Sequence, residues 1–168
     1  MDLTVGDNGA MRKRIVGRHN AELSGQSAEG WLNLDQIATV EVTSEHPSFP
    51  IESVFASSNG PGWRASQEGE QQIRIIFDEP VSVRRIQLRF HDSDSERTQE
   101  FSLRWSPANG GRNVEVLRQR WNFSPTGSTT EFEDYAVQIE GMSILELTID
   151  PDISGHNAFA TLAEWRVG

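Results

Sequence analysis

Eight residues, in or beside stretches rich in turn formers, carry the side chains that suit passive recognition of a small polar ligand. They are His46, Arg64, His91, Trp121, Asn122, Phe123, His156 and Asn157. An aromatic ring offers a flat apolar face to the C–H groups of a sugar ring. Imidazole, guanidinium and amide groups offer planar donors and acceptors to its hydroxyls. Trp121-Asn122-Phe123 is the most compact of these groups and lies where a strand is expected to meet an irregular loop. Phe49, Trp63, Asn109 and Arg112 are further loop candidates. Each has a plainer alternative: His46 and His156 as loop-packing groups, Trp63 and Trp165 as residues of the core or its rim.

The run His91-Asp92-Ser93-Asp94-Ser95-Glu96 imitates the opening of a calcium-binding EF-hand loop. Arg97 then stands where that loop needs glycine and Leu103 where it needs glutamate, so a solvated acidic loop is the expectation. Catalytic signatures are missing. The chain has no cysteine, and no G-x-S-x-G, H-E-x-x-H, P-loop or G-x-G-x-x-G run occurs in it. Its 25 acidic residues guarantee carboxylate pairs by chance. The expectation is a protein that is not an enzyme.

A net charge of −10 repels a phosphate backbone unless the 15 basic residues cluster, so no nucleic-acid partner is expected. No apolar run reaches the roughly 20 residues of a membrane span. The first residues lack a basic segment followed by an apolar one, so no secretory signal is read. The chain is expected in the cytoplasm on that ground, with export by a non-Sec route or carriage within a larger particle as the alternative. Oligomeric state is not encoded in any pattern found.

The elements that must hold these side chains are strands. Gln71–Phe77 and Val83–Phe90 are apolar runs of strand length, the second alternating Ile86, Leu88 and Phe90 with polar residues. Alternation at period two places one set inward and the other in water. Pro80, between the runs, is expected to end the first strand and turn the chain. Phe101, Leu103 and Trp105 alternate next, with Trp105 expected in the core. A hairpin loop around Asn109-Gly110 leads to a return strand over Asn113–Trp121, with Val114 and Val116 inward. Tyr135–Ile139 and Leu145–Ile149 give two more strands, and Ala158–Val167 closes the domain. Residues 1–30 are expected to form a flexible or loosely packed N-terminal arm, although Arg14-Ile15-Val16 suits an edge strand, and residues 31–168 the folded domain. About seven or eight short strands without a helical stripe predict an all-β sandwich or jelly roll.

The succession Val42-Thr43-Ser44-Glu45, Ile51-Glu52-Ser53-Val54, Trp63-Arg64-Ala65, Gln72–Phe77, Val83–Leu88 and Leu162-Ala163-Glu164-Trp165-Arg166-Val167 resembles the discoidin, or coagulation-factor C-terminal-type, domains. These belong to the galactose-binding-like superfamily together with the family 32 carbohydrate-binding modules. The resemblance covers about residues 36–168. It implies a jelly roll of about eight strands with adjacent termini and ligand loops gathered at one end. It also implies a non-catalytic binder of sugars, phospholipid head groups or other proteins, with carbohydrate or a protein as the partner expected here. No cofactor is required on this reading. The family often holds a structural calcium, for which the matching positions are Glu164 with Asn59 and Ser58. The loop before Trp63 has no carboxylate, however, and calcium wants about six to eight oxygens. The alternative is that Glu164 pins that loop through backbone N–H groups without a metal.

Overall fold

The structure is a computed structural model that describes residues 11–15, 30–55, 60–108 and 110–168. Its organising feature is a pair of very long antiparallel strands, β4 (Gln71–His91) and β7 (Thr130–Asp150). Each was expected as two strands and is one, so Pro80 does not end the first. The register of β4 against β7 shifts between Ile76 and Val81, and the missing N–H of Pro80 falls in that irregular stretch, where no ladder bond depends on it. The inward set moves from Gln71, Ile73, Ile75 and Phe77 to Ile86, Leu88 and Phe90. That change of phase follows from the further shifts between Val81 and Arg85. In β7 the corresponding bend lies at Gly141, whose φ of 71° suits glycine.

The bends let one ladder serve two layers. The first layer runs β1 (Lys13–Ile15), β2 (Ala38–Val42), β4, β7, β5 (Arg97–Pro107) and β6 (Val114–Phe123). The second is built from the far halves of β4 and β7 with β9 (Glu164–Val167) beside β4. A separate ribbon pairs β3 (Trp63–Glu68) with β8 (Phe159–Leu162). Two four-residue helices, α1 (Leu34–Ile37) and α2 (Glu52–Phe55), precede β2 and β3 respectively. The layers meet where Phe90 packs on Phe101, with ring centroids 4.9 Å apart. Trp63 and Trp165 are both buried, and Trp63 Nε1 donates to the Ser44 carbonyl at 3.1 Å. The Leu32 amide donates to the Val167 carbonyl at 2.7 Å, so the start and the close of the domain lie side by side.

One alternative is decided and two expectations change. Lys13–Ile15 is an edge strand parallel to β2, so that part of the 1–30 segment is not loose; the rest of it, apart from Met11, Arg12 and Gly30, lies outside the described residues. Arg12 pairs with Asp78, Lys13 with Glu45 and Glu52, and Arg14 with Glu41. The return strand runs on to Phe123, and Val114 at its start is exposed rather than inward. Trp105 packs against the core from its edge and is only half-buried.

Burial sets the energetic ranking of the aromatics. Phe101→Ala is expected to cost about 3–5 kcal/mol of stability, as truncation of a buried ring does. Trp105→Ala should cost less, because part of its ring already meets water. Urea unfolding of the two variants checks the order.

Candidate functional site

At one end of the sandwich lies a hollow of about 640 Å³. Its walls are Phe49, the residues around the start of β3, the end of β4 with the acidic loop that follows, and the segment from Asp152 into β8. Chain topology brings these together. The β4–β5 connection and the β7–β8 connection open at the same end, and β3 is fastened to β8 by Trp63–Leu162 and Arg64–Thr161 pairing. Gly62 makes that closure possible. Its φ is 79°, and a Cβ there would stand 2.7 Å from the Leu162 carbonyl oxygen.

Arg97 lies at the base of the hollow with its side chain 1% exposed. Its Nε donates to Asp92 Oδ2 at 2.7 Å, and one Nη1 serves both Gln99 Oε1 at 3.1 Å and the Pro151 carbonyl at 2.8 Å. Nη2 donates to Thr161 Oγ1 at 3.3 Å, and the guanidinium stacks over the Phe123 ring at 4.5 Å. One side chain therefore ties the acidic loop, the 151–157 turn and β8 to the core. Burial pulls the Asp92 carboxyl upward, but hydrogen bonds from Arg97, the Asp94 amide and Ser95 outweigh it and hold it below the usual carboxylate range. The 92–96 run, expected as a solvated acidic loop, is thus anchored at Asp92 by an internal guanidinium, while Asp94 and Glu96 stay exposed. Asp152 behaves alike: burial opposes its ionisation, and bonds from Ser154, His156 and the Thr98 region prevail.

Four of the eight residues singled out in the sequence meet in this hollow: Arg64, His91, His156 and Asn157. Arg64 lies over the Phe159 ring at 5.2 Å. His91 Nδ1 is 3.1 Å from Thr130 Oγ1. His156 holds Asp152 Oδ2 through Nδ1 at 3.1 Å while its ring stays 79% exposed. His46 stands behind the wall, its ring edge-on to Phe49 at 5.3 Å and its amide donating to the Arg64 carbonyl. Trp121, Asn122 and Phe123 do not line the hollow. Phe123 is a correction: it is 0% exposed, covered by Arg97, and has no face to offer a ligand. Trp121 is half-buried against the core, and Asn122 accepts from Thr98 Oγ1 at 2.8 Å. Reasoning from sequence missed Phe159, Thr161, Asp152 and Arg97. For Arg97 a signal existed, since it continues the inward alternation of Gln99, Phe101 and Leu103.

The candidate calcium set fares differently. Ser58 and Asn59 lie outside the described residues. Glu164 is committed to two cations, accepting from Arg89 Nη2 at 3.0 Å and from Arg166 Nε. Two guanidiniums therefore already balance the carboxylate that a dication would draw on. The backbone N–H groups of residues 56–59, the alternative partners expected for it, lie outside the described residues. Among the described residues no group of three or more His, Asp or Glu side chains is placed to hold a metal ion.

A polar chain continues inward from Arg97. Gln99 Nε2 donates to Glu131 Oε2 at 3.4 Å, and the Tyr135 hydroxyl donates to Glu133 Oε2 at 2.6 Å. Burial, then the neighbouring Glu133 carboxyl, pushes Glu131 from the ordinary 4.5 up to about 8; Gln99 and Arg97 counter this only in part. Trp121 Nε1 and Glu131 Oε1 are both buried without a hydrogen-bond partner among the described residues.

Two outcomes follow. Arg97→Met leaves Asp92 without its counter-charge and should cost about 3–5 kcal/mol, with faster amide exchange in residues 91–96 and 152–157; unchanged exchange there would contradict the tethering role. Glu131 binds its proton more tightly folded than unfolded. Stability should therefore be greatest below about pH 4.5 as far as this group decides it, fall as pH climbs to about 8, and level off above. Glu131→Gln should flatten that decline by more than about 1 kcal/mol, read from urea midpoints at a series of pH values.

No family model and no curated protein matches the chain. Solved structures do. CBM32-3 from a family 31 glycoside hydrolase of Clostridium perfringens aligns with TM-score 0.61 at 16% identity, covering 86% of this chain and 97% of that one. The family 32 module of NanJ from C. perfringens, solved with galactose, gives TM-score 0.57 at 17% identity over 77% and 92% of the two chains. The family 32 module of AlyQ, solved with 4,5-unsaturated mannuronic acid, gives 0.57 at 19% over 79% and 95%. The chain thus has the fold of the family 32 carbohydrate-binding modules, the galactose-binding-like, discoidin-like jelly roll to which its sequence pointed.

Proposed function

We propose that the protein is a non-catalytic carbohydrate-binding module that seats a saccharide in the hollow at the loop end of its jelly roll. The observation that carries this reading is the convergence of Arg64, His91, His156 and Asn157 with the rings of Phe49 and Phe159 on one concave surface. Sugar recognition needs a few planar hydrogen-bonding groups beside apolar ring faces, and a rigid wall to hold them. The wall is rigid here because Arg97 and Gly62 fix the loops from below and from the side. The two least exposed carboxylates on the lining, Asp92 and Asp152, are held ionised by internal hydrogen bonds, which suits scaffolding better than proton transfer. Modules of the same fold solved with galactose and with a mannuronic acid lend the class further support.

The second reading is a protein-interaction or assembly-anchoring module. Its specific support is Phe132, 57% exposed on the outward face of β7 beside Arg89. A lone exposed ring is ordinary on a protein surface and makes no patch.

A glycan array followed by titration calorimetry tests the proposal. Arg64→Ala and His156→Ala should each weaken the saccharide that binds by about tenfold, while unfolding free energy moves by less than about 1 kcal/mol. Trp121→Ala should leave affinity unchanged. A silent array together with a stoichiometric protein partner recovered from extract would favour the second reading.

A further inference from the structure

Among the described residues, the basic side chains are nearly all paired. Among the described lysines and arginines, all but Arg64 and Arg112 have a carboxylate within ion-pair reach. Arg112 stands exposed in the turn before β6. Arg64 is half-buried and lines the hollow. In a chain of net charge −10, a guanidinium left uncompensated on the wall of this hollow marks a place where negative charge is to arrive.

We infer that the ligand of the hollow is an acidic saccharide, one bearing a carboxylate that seats on the Arg64 guanidinium. The inference deepens the carbohydrate reading and rests on it. The side chain is prepared for this task. Its backbone is tied in both directions, the amide donating to the Phe49 carbonyl at 3.3 Å and the carbonyl accepting from the His46 amide at 2.8 Å. The Phe159 ring supports the guanidinium at 5.2 Å. No described residue takes a hydrogen bond from its side-chain nitrogens, so the whole fork is available for a carboxylate, whose two oxygens match its spacing. The remaining charges on the lining restrict where that carboxylate can sit. Arg97 is spent on Asp92, Arg89 on Glu164, and Asp152 on His156 and the Ser154 amide. Asp94 and Glu96 are exposed on the acidic loop and would repel a carboxylate placed beside them. The saccharide is therefore oriented with its acid group on Arg64 and its hydroxyls toward the 91–96 loop. A neutral sugar would find the same donors but no charge-assisted pair.

Matched probes separate charge from shape. Titration calorimetry with trigalacturonate and trimannuronate, and with each trisaccharide after reduction of its carboxyls to primary alcohols, compares ligands that differ only in the acid group. At low salt the wild-type protein should bind at least one acidic trisaccharide about tenfold or more tighter than its reduced form. Added salt should narrow that ratio. Arg64→Gln should bring it close to one, and Arg64→Lys should restore part of it. Equal affinity for acid and reduced forms, or equal weakening of both by Arg64→Gln, would overturn the inference while leaving Arg64 as a donor to hydroxyls in a carbohydrate site. Failure of both acidic trisaccharides on a protein that binds neutral glycans on the array would overturn it alone. Silence of the entire array would overturn the carbohydrate reading with it.

Discussion

A guanidinium withdrawn from water is the constraint to which the hollowed end of this molecule is built. Removing such a charge from solvent costs several kcal/mol unless each donor finds an acceptor and the charge finds its opposite. Arg97 meets that demand with Asp92, Gln99, the Pro151 carbonyl and Thr161, and with the π face of Phe123. Every one of these partners belongs to a different local segment or to the strand under it. Satisfying one side chain therefore ties together two loops and a ribbon whose Trp63, Ala65, Ala160 and Leu162 also pack into the core. The hollow is shaped by hydrogen-bond demand as well as by packing.

The strands were legible because their alternation is a local property. Ile73 and Ile75, or Phe101 and Leu103, announce an inward face within a few residues. The joining of strands was not legible. A bulge changes the phase of the inward set, and in sequence this looks the same as a break followed by a new strand. Pro80 strengthened that impression, since proline interrupts a ladder unless it falls where no ladder bond is made. The actual arrangement depends on which residues of β7 face it, which no local pattern reports.

The site divided along the same line. Arg64, His91, His156 and Asn157 could be found because polar and planar groups in turn-rich segments face solvent by default. Phe123 misled because the strand carrying it was ended two residues early, at Trp121; continued to Phe123, the alternation turns that ring inward beneath Arg97. Phe159 was overlooked for the converse reason. It lies on a strand only four residues long, whose single hydrogen-bonded neighbour is another short strand, so one face of its ring borders the cavity rather than the core. Which loops share an end of a jelly roll is settled by long-range pairing, and the spacing of residues along the chain carries little of it.

The two layers are made of the same two strands, and this shapes how the molecule can come apart. Neither sheet can detach, because pulling one free drags the backbone of the other through the bends at Pro80 and Gly141. Gln71 is paired with Ile149 and His91 with Thr130, so the spine joins the middle of the polypeptide to a point near its close. Chain entropy must be surrendered over that long intervening segment before any of its ladder is rewarded, which favours slow, all-or-none assembly over stepwise growth. The rim proposed to hold a saccharide consequently belongs to a body whose two layers do not yield separately.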